Sequence, residues 1–247
     1  MRTGNPAFSN ALFNDFAQER DTSVTMTVEG TAFKSLALVV ILMGAAAFTW
    51  SQASAGTLNP GIILAGALGG MCVGFLTIFK PTLAPITAPI YAVLEGLFLG
   101  AISFMINQRY PGKNLASQAV LLTVATLFIM LVLYGTRIIR VTQKLTAGIT
   151  AATGAIMLVY MASFVLSFFH VRVPVINDAT PLGIGFSVLV VGLAAFNLLL
   201  DFDFIERGAS RGMPKAMEWY GAFGLLVTLI WLYLELLRLL SKMNDRR

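Results

Sequence analysis

The sequence predicts an all-α integral membrane protein, a bundle of seven transmembrane helices. Three observations point there. Charged residues make up only 12% of the 247-residue chain, against about 25% in soluble domains. Its mean hydropathy is +0.80. Seven apolar stretches are each long enough to cross about 30 Å of hydrocarbon, which takes about 20 helical residues. None alternates polar and apolar with period two, so helices are expected rather than a β-barrel.

The predicted spans are 35–52, 60–79, 86–106, 117–136, 147–169, 182–205 and 217–240. Short connections imply antiparallel packing of each helix on the next, in one domain of residues 35–240. Residues 1–34 mix charges, Ser/Thr and a few aromatics and lack a signal-peptide pattern, so they are expected to be a polar cytoplasmic tail. The first span then serves as the insertion signal, and residues 241–247 form a charged C-terminal tail.

Lys/Arg counting orients the bundle with the N-terminus in the cytoplasm. Ten basic residues then fall inside: Arg2, Arg20, Lys34, Lys80, Arg137, Arg140, Lys144, Arg207, Arg211 and Lys215. Three fall in outer loops: Arg109, Lys113 and Arg172. Arg238, Lys242, Arg246 and Arg247 would lie outside if the last segment spans fully, against the rule. Either the first six spans fix the topology or the last segment is re-entrant; seven full spans are the preferred reading. The net charge of +5 is then loop charge, not a nucleic-acid surface.

Small residues recur in AGALGGMCVG (65–74), EGLFLG (95–100) and GIGF (183–186), where helix backbones can approach closely. Cys72, in the first of these, reads as inert packing.

Ionisable residues inside the spans carry the functional information, because a charge at membrane depth costs at least about 2.5 kcal/mol. Glu95 stands in the third span between YAVL and GLFLG. It needs a partner, a wet cavity or a proton. Asp201, Asp203 and Glu206 end the sixth span, with Asn197 one turn before Asp201 and on its face. Asp203 is rotated about 200° from Asp201, so Asp201, the deeper, is expected to face inward and Asp203 outward. Glu206 fits a solvated helix end. Lys80, ahead of Pro81, lies at about the depth of Asp201 and is either its counter-ion or a snorkelling interfacial lysine. Glu235 and Arg238 can pair at i, i+3. A straight last span separates Glu235 from Asp201 in depth, because about 18 residues correspond to about 27 Å of helix. His170 and Arg172, near Asp178, sit at the outer mouth of the fifth span, where a His can sense pH but is more often simply interfacial.

One Cys and one His leave no disulfide framework and no Cys/His metal cluster. A Ser/His/Asp set cannot be assembled, and no GxGD motif is present. Enzymatic function is not expected. The acids look arranged for protons or cations.

Four stretches carry a family resemblance: TIFKPTLAPITAPIYAVLEGLFLGAIS (77–103), ITAATGAIMLVYMASFVLSFF (149–169), PLGIGFSVLVVGLAAFNLLLDFDFIERG (181–208) and MEWYGAFGLLVTLIWLYLELLRLL (217–240). With the N-terminal NPAFS, they resemble a bacterial branch of the Bax inhibitor/YccA-like family. The resemblance implies six helices around a central seventh and residence in the bacterial cell membrane. In characterised members it also implies a pH-sensitive calcium leak, or association with membrane proteolysis. The expected function is therefore a pH-sensitive leak for calcium or protons, with no cofactor beyond calcium as the transported ion. The alternative is a non-conducting regulator of a membrane protease or other membrane partner. By resemblance, Asp201 matches the first of a pair of aspartates, Lys80 stands where the family has a basic residue, and Glu95 matches a third-helix acid. For the second aspartate the local LYL-acid pattern points to Glu235, whereas alignment of the whole last span points to Thr228, where the dyad would be broken.

Overall fold

The computed structural model describes residues 25–170 and 173–246. Seven long helices account for nearly all of them: α1 (Val28–Ser54), α2 (Pro60–Phe79), α3 (Ala84–Arg109), α4 (Leu115–Gly135), α5 (Gln143–Phe168), α6 (Pro181–Ser210) and α7 (Met217–Asp245). All seven are long and apolar enough to cross a membrane. A 3₁₀ turn (Pro81–Leu83) leads into α3, and a four-residue helix (Pro174–Asn177) precedes α6.

Local chemistry sets the helix starts. Thr27, Asn59, Thr142 and Thr180 cap α1, α2, α5 and α6 by accepting from the backbone N–H two or three residues on, which satisfies donors the helix itself leaves orphaned. Pro60 and Pro181 occupy first-turn positions, where no N–H is needed. Lys80 ends α2 because Pro81 disfavours helical backbone in the residue before it.

The ends of the expected spans shift. Helix α1 begins at Val28, inside the stretch expected to be tail, because Thr27 supplies the cap. Helix α7 runs on to Asp245, so most of the expected C-terminal tail is helix. Residues 1–24 lie outside the described residues.

Helix α7 is the hub. It packs against α1, α3, α4 and α6, while α2 leans on α3 and α5 on α6. Packing of each helix on the next therefore holds for α2–α3, α3–α4, α5–α6 and α6–α7, whereas α1 packs chiefly on α3 and α7. The core follows the hub: Leu226, Leu232, Leu236 and Leu237 of α7 meet Leu38 and Leu42 of α1 and Leu198 and Leu199 of α6. One end of the bundle, the N-side, holds the starts of α1 and α7. The opposite C-side holds the end of α3 against the end of α7, where Tyr110 donates to Asp245 at 2.6 Å. Helix α7 is thus held at both ends of the bundle and runs its length as one continuous helix.

Glycines set the close approaches. On α2, the buried residues are Gly66, Gly70, Gly74 and Thr77, one face at helical spacing. A Cβ on Gly66 would stand 2.8 Å from the Leu94 carbonyl oxygen of α3. On the other flank of α3, a Cβ on Gly96 would stand 2.7 Å from Ala45 Cβ of α1. Cys72 is exposed on the outer face of α2, away from this packing.

Candidate functional site

The α6–α7 interface is an antiparallel seam whose register can be read from its polar pairs. At the C-side, the Lys242 ammonium of α7 is buried and donates to Ser187 Oγ and the Gly183 carbonyl of α6, both at 3.0 Å. Fourteen residues back along α7, Thr228 meets Asp201. Glu235 lies midway and therefore stands opposite Ala194, about 10 Å from either level at 1.5 Å per residue. Residues 228, 235 and 242 share one helix face because seven residues are close to two turns.

Asp201 is the chemically unsatisfied member of the seam. Its Oδ2 is buried and has no hydrogen-bond partner. The Thr228 hydroxyl is the polar group that α7 turns toward the carboxyl, and Thr228 Oγ1 also reaches its own Gly224 carbonyl at 3.3 Å. Gly224 lies beside the carboxyl, and a Cβ there would make ordinary contact with Asp201 Oδ1 at 3.8 Å. Asp203 points elsewhere, accepting from Arg207 one turn on at 2.8 Å. It lines a surface cleft of about 270 Å³ with Thr146 and Arg211. Glu206 ties α6 to the end of α4 through the Tyr134 hydroxyl and through Arg137 at 2.5 Å.

Glu235 belongs to a separate cluster between α5 and α7. It is buried, accepts from the Tyr160 hydroxyl at 2.9 Å and pairs with Arg238 at 3.0 Å. Arg238 donates to the same hydroxyl at 2.7 Å and lies over the Tyr160 ring, 4.9 Å from its centroid. Both Glu235 carboxylate oxygens and the Tyr160 hydroxyl are therefore engaged, unlike Asp201 Oδ2.

Two expected juxtapositions, of Lys80 and of Asn197 with Asp201, do not form. Lys80 is not the counter-ion of Asp201: it is exposed and makes no ion pair among the described residues. The cause is topological, since α2 leans on α3 and not on α6. Glu95 faces α2. Its carboxyl lies over Gly70 of α2, where a Cβ would stand 2.6 Å from Oε1, on the flank of α3 facing α2. Asn197 turns from Asp201 toward α5, donating to Thr153 Oγ1 at 2.8 Å. Of the loop residues, His170 is exposed with φ 59°, Asp178 is exposed, and Arg172 lies outside the described residues.

Sequence reasoning passed over a charged cluster at the N-side. The Glu218 side chain is 0% exposed and meets the Lys34 ammonium and Lys215, the latter at 3.2 Å. It also accepts from the backbone N–H and hydroxyl of Thr27, both at 2.9 Å. The chain entering α1 is pinned to the α6–α7 turn at the same place, with Met26 N–H donating to the Met213 carbonyl at 2.7 Å. An acid in the first turn of α7, where the helix dipole favours it, was the available signal for Glu218. For Lys242 it was the seven-residue step from Thr228 through Glu235.

Among the described residues, no group of three or more His, Cys, Asp or Glu is placed to hold a metal. No curated protein and no solved structure matches the chain. The family model described as Bax inhibitor 1 like matches residues 5–245. That match takes in all seven spans and the seam, and the chain belongs to the Bax inhibitor 1 like family.

Proposed function

We propose that this protein is a non-enzymatic cation leak of the cell membrane, passing calcium or protons, with its N-terminus in the cytoplasm and the α6–α7 seam as its responsive element. The observation that carries this reading is the buried, unpartnered Oδ2 of Asp201 facing Thr228 across two membrane-crossing helices. An unsatisfied carboxyl oxygen at that depth destabilises the fold, so its retention suits a group that exchanges a proton or meets a passing cation. Either event changes the charge facing α7, the helix on which α1, α3 and α4 also pack. The seam could thereby bias the whole bundle between two states.

Ion flux through the full chain in proteoliposomes, for calcium and for protons between about pH 6 and pH 8, tests the reading. Flux above protein-free vesicles, with a pH response that disappears in Asp201→Asn, supports it. Absence of flux at every pH sinks it.

A non-conducting regulator of a membrane protease is the second reading. It is favoured by a threonine, rather than a second acid, opposite Asp201, and by the absence of a facing Lys80. Pull-down with full-length protein and with residues 1–24 removed separates the two. A partner lost on deletion, together with no flux, selects the regulator.

A further inference from the structure

Helices α1 and α4 flank a cleft of about 460 Å³ with α3 and α7 as its floor. On α1 it runs from Val39 to Trp50 and on α4 from Ala116 to Leu127. Each run is twelve residues, whose eleven steps span about 16 Å of helix, close to half of an about 30 Å hydrocarbon core. The cleft therefore lies along the bundle axis and extends from mid-membrane to the C-side, the depth of one leaflet.

Its walls are mostly apolar, and the hydroxyls at its floor and on α4 at Thr123 are paired within the protein. At the floor the hydroxyls of Ser103 and Tyr233 bond each other at 2.6 Å. Thr123 donates to its own Ala119 carbonyl at 2.8 Å. Trp50 stands at the C-side mouth, where aromatic side chains mark the membrane interface. Lys113, three residues before Ala116, is exposed and has no ion pair among the described residues.

We propose that this cleft is a binding site for one acyl chain of a bilayer phospholipid, whose headgroup phosphate lies at Lys113. An apolar void of this size would forfeit packing along four helices. The surrounding medium supplies a chain of the right length, direction and chemistry to fill it. The bound chain touches Leu226 and Ile230 of α7, so it packs directly on the central helix. This inference does not depend on whether the protein conducts ions.

The test uses the full chain, delipidated in mild detergent and titrated with phosphatidylethanolamine bearing one palmitoyl and one oleoyl chain. Bound lipid is read by native mass spectrometry, and stability by thermal unfolding. The expected result is one retained phospholipid per chain and a rise in unfolding temperature on its addition. Ala47→Phe fills the cleft from α1 and Val124→Phe from α4; both residues line it and are exposed. Each is expected to weaken lipid retention at least tenfold and to abolish the temperature rise, while Val93→Phe, on an exposed face of α3 outside the cleft, changes neither. The proposal is overturned if wild type retains no lipid. It is equally overturned if both filled variants bind as tightly as wild type, or if palmitate binds where the phospholipid does not.

Discussion

Replacing Glu218 with Ala removes an acceptor shared by four donors at the N-side of the bundle. The Lys34 side chain is only 16% exposed and loses its carboxylate partner. Breaking a buried ion pair from one side costs about 3–5 kcal/mol, because the remaining charge stays desolvated. Lys215 is 47% exposed, so its share falls in the surface range of about 0–1 kcal/mol. The Thr27 amide and hydroxyl each lose a bond worth about 1 kcal/mol net. Water entering from the N-side offsets part of this, so we expect about 3–5 kcal/mol in all. That is a large share of the about 5–15 kcal/mol typical of folded proteins. Glu218→Gln keeps the shape and one acceptor oxygen but loses the charge, and should cost about 1–3 kcal/mol. Equilibrium unfolding in mixed detergent micelles gives these values. The same assay on Lys34→Met and the double variant Lys34→Met/Glu218→Ala gives the coupling, expected at about 1–3 kcal/mol. Additivity to within about 0.5 kcal/mol, or a Glu218→Ala cost below about 1 kcal/mol, would refute the cluster as the clamp between α1 and the α6–α7 turn.

Gly96→Ala should destabilise by about 1–3 kcal/mol, because its Cβ would stand 2.7 Å from Ala45 Cβ and overlap the Leu42 carbonyl of α1. Gly192→Ala, with nothing within 4 Å, should be neutral or stabilise by up to about 1 kcal/mol; the same unfolding assay compares them. Glu235→Gln should leave an Asp201-dependent pH response of ion flux nearly intact, since the register sets the two acids about 10 Å apart along the seam. Equal and non-additive effects of Glu235→Gln and Asp201→Asn would mean that the two act as one unit. Burial, and then the hydrogen bond to Asp245, push the Tyr110 phenol up to about 12 from 10.0. Its stabilising contribution is thus complete below about pH 10 and lost as pH rises through about 12. Asp245→Asn should move the Tyr110 titration part of the way back toward 10.0, as read by ultraviolet difference titration against Tyr110→Phe.

The number, kind and approximate extent of the helices were legible in the sequence, because hydrocarbon thickness and backbone hydrogen bonding leave an apolar run of this length little alternative. So were the inward turn of Asp201 relative to Asp203 and the Glu235–Arg238 pair, which follow from helical rotation and i, i+3 spacing within one helix. The rise per residue separated Glu235 from Asp201 in the right direction but overstated the gap, because Asp201 meets Thr228, about 10 Å from Glu235, and not the inner end of α7. Which helices touch was decided by tertiary structure. Lys80 and Asp201 share a depth in the sequence, but α2 leans on α3, so depth did not become distance. Glu95 lies on the α2-facing flank of α3 because Gly70 leaves room for its carboxyl there, a pairing between two helices that neither helix's own periodicity encodes. Glu218, Lys34 and Lys242 looked like ordinary terminal charges when counted along the chain. Glu218 and Lys34 became a buried pair because α1 and α7 begin at the same side of the bundle. Lys242 became a buried donor because α6 begins where α7 ends. Spacing within a helix is fixed by local geometry, whereas partners across helices depend on which faces pack, and that is settled by the whole bundle at once.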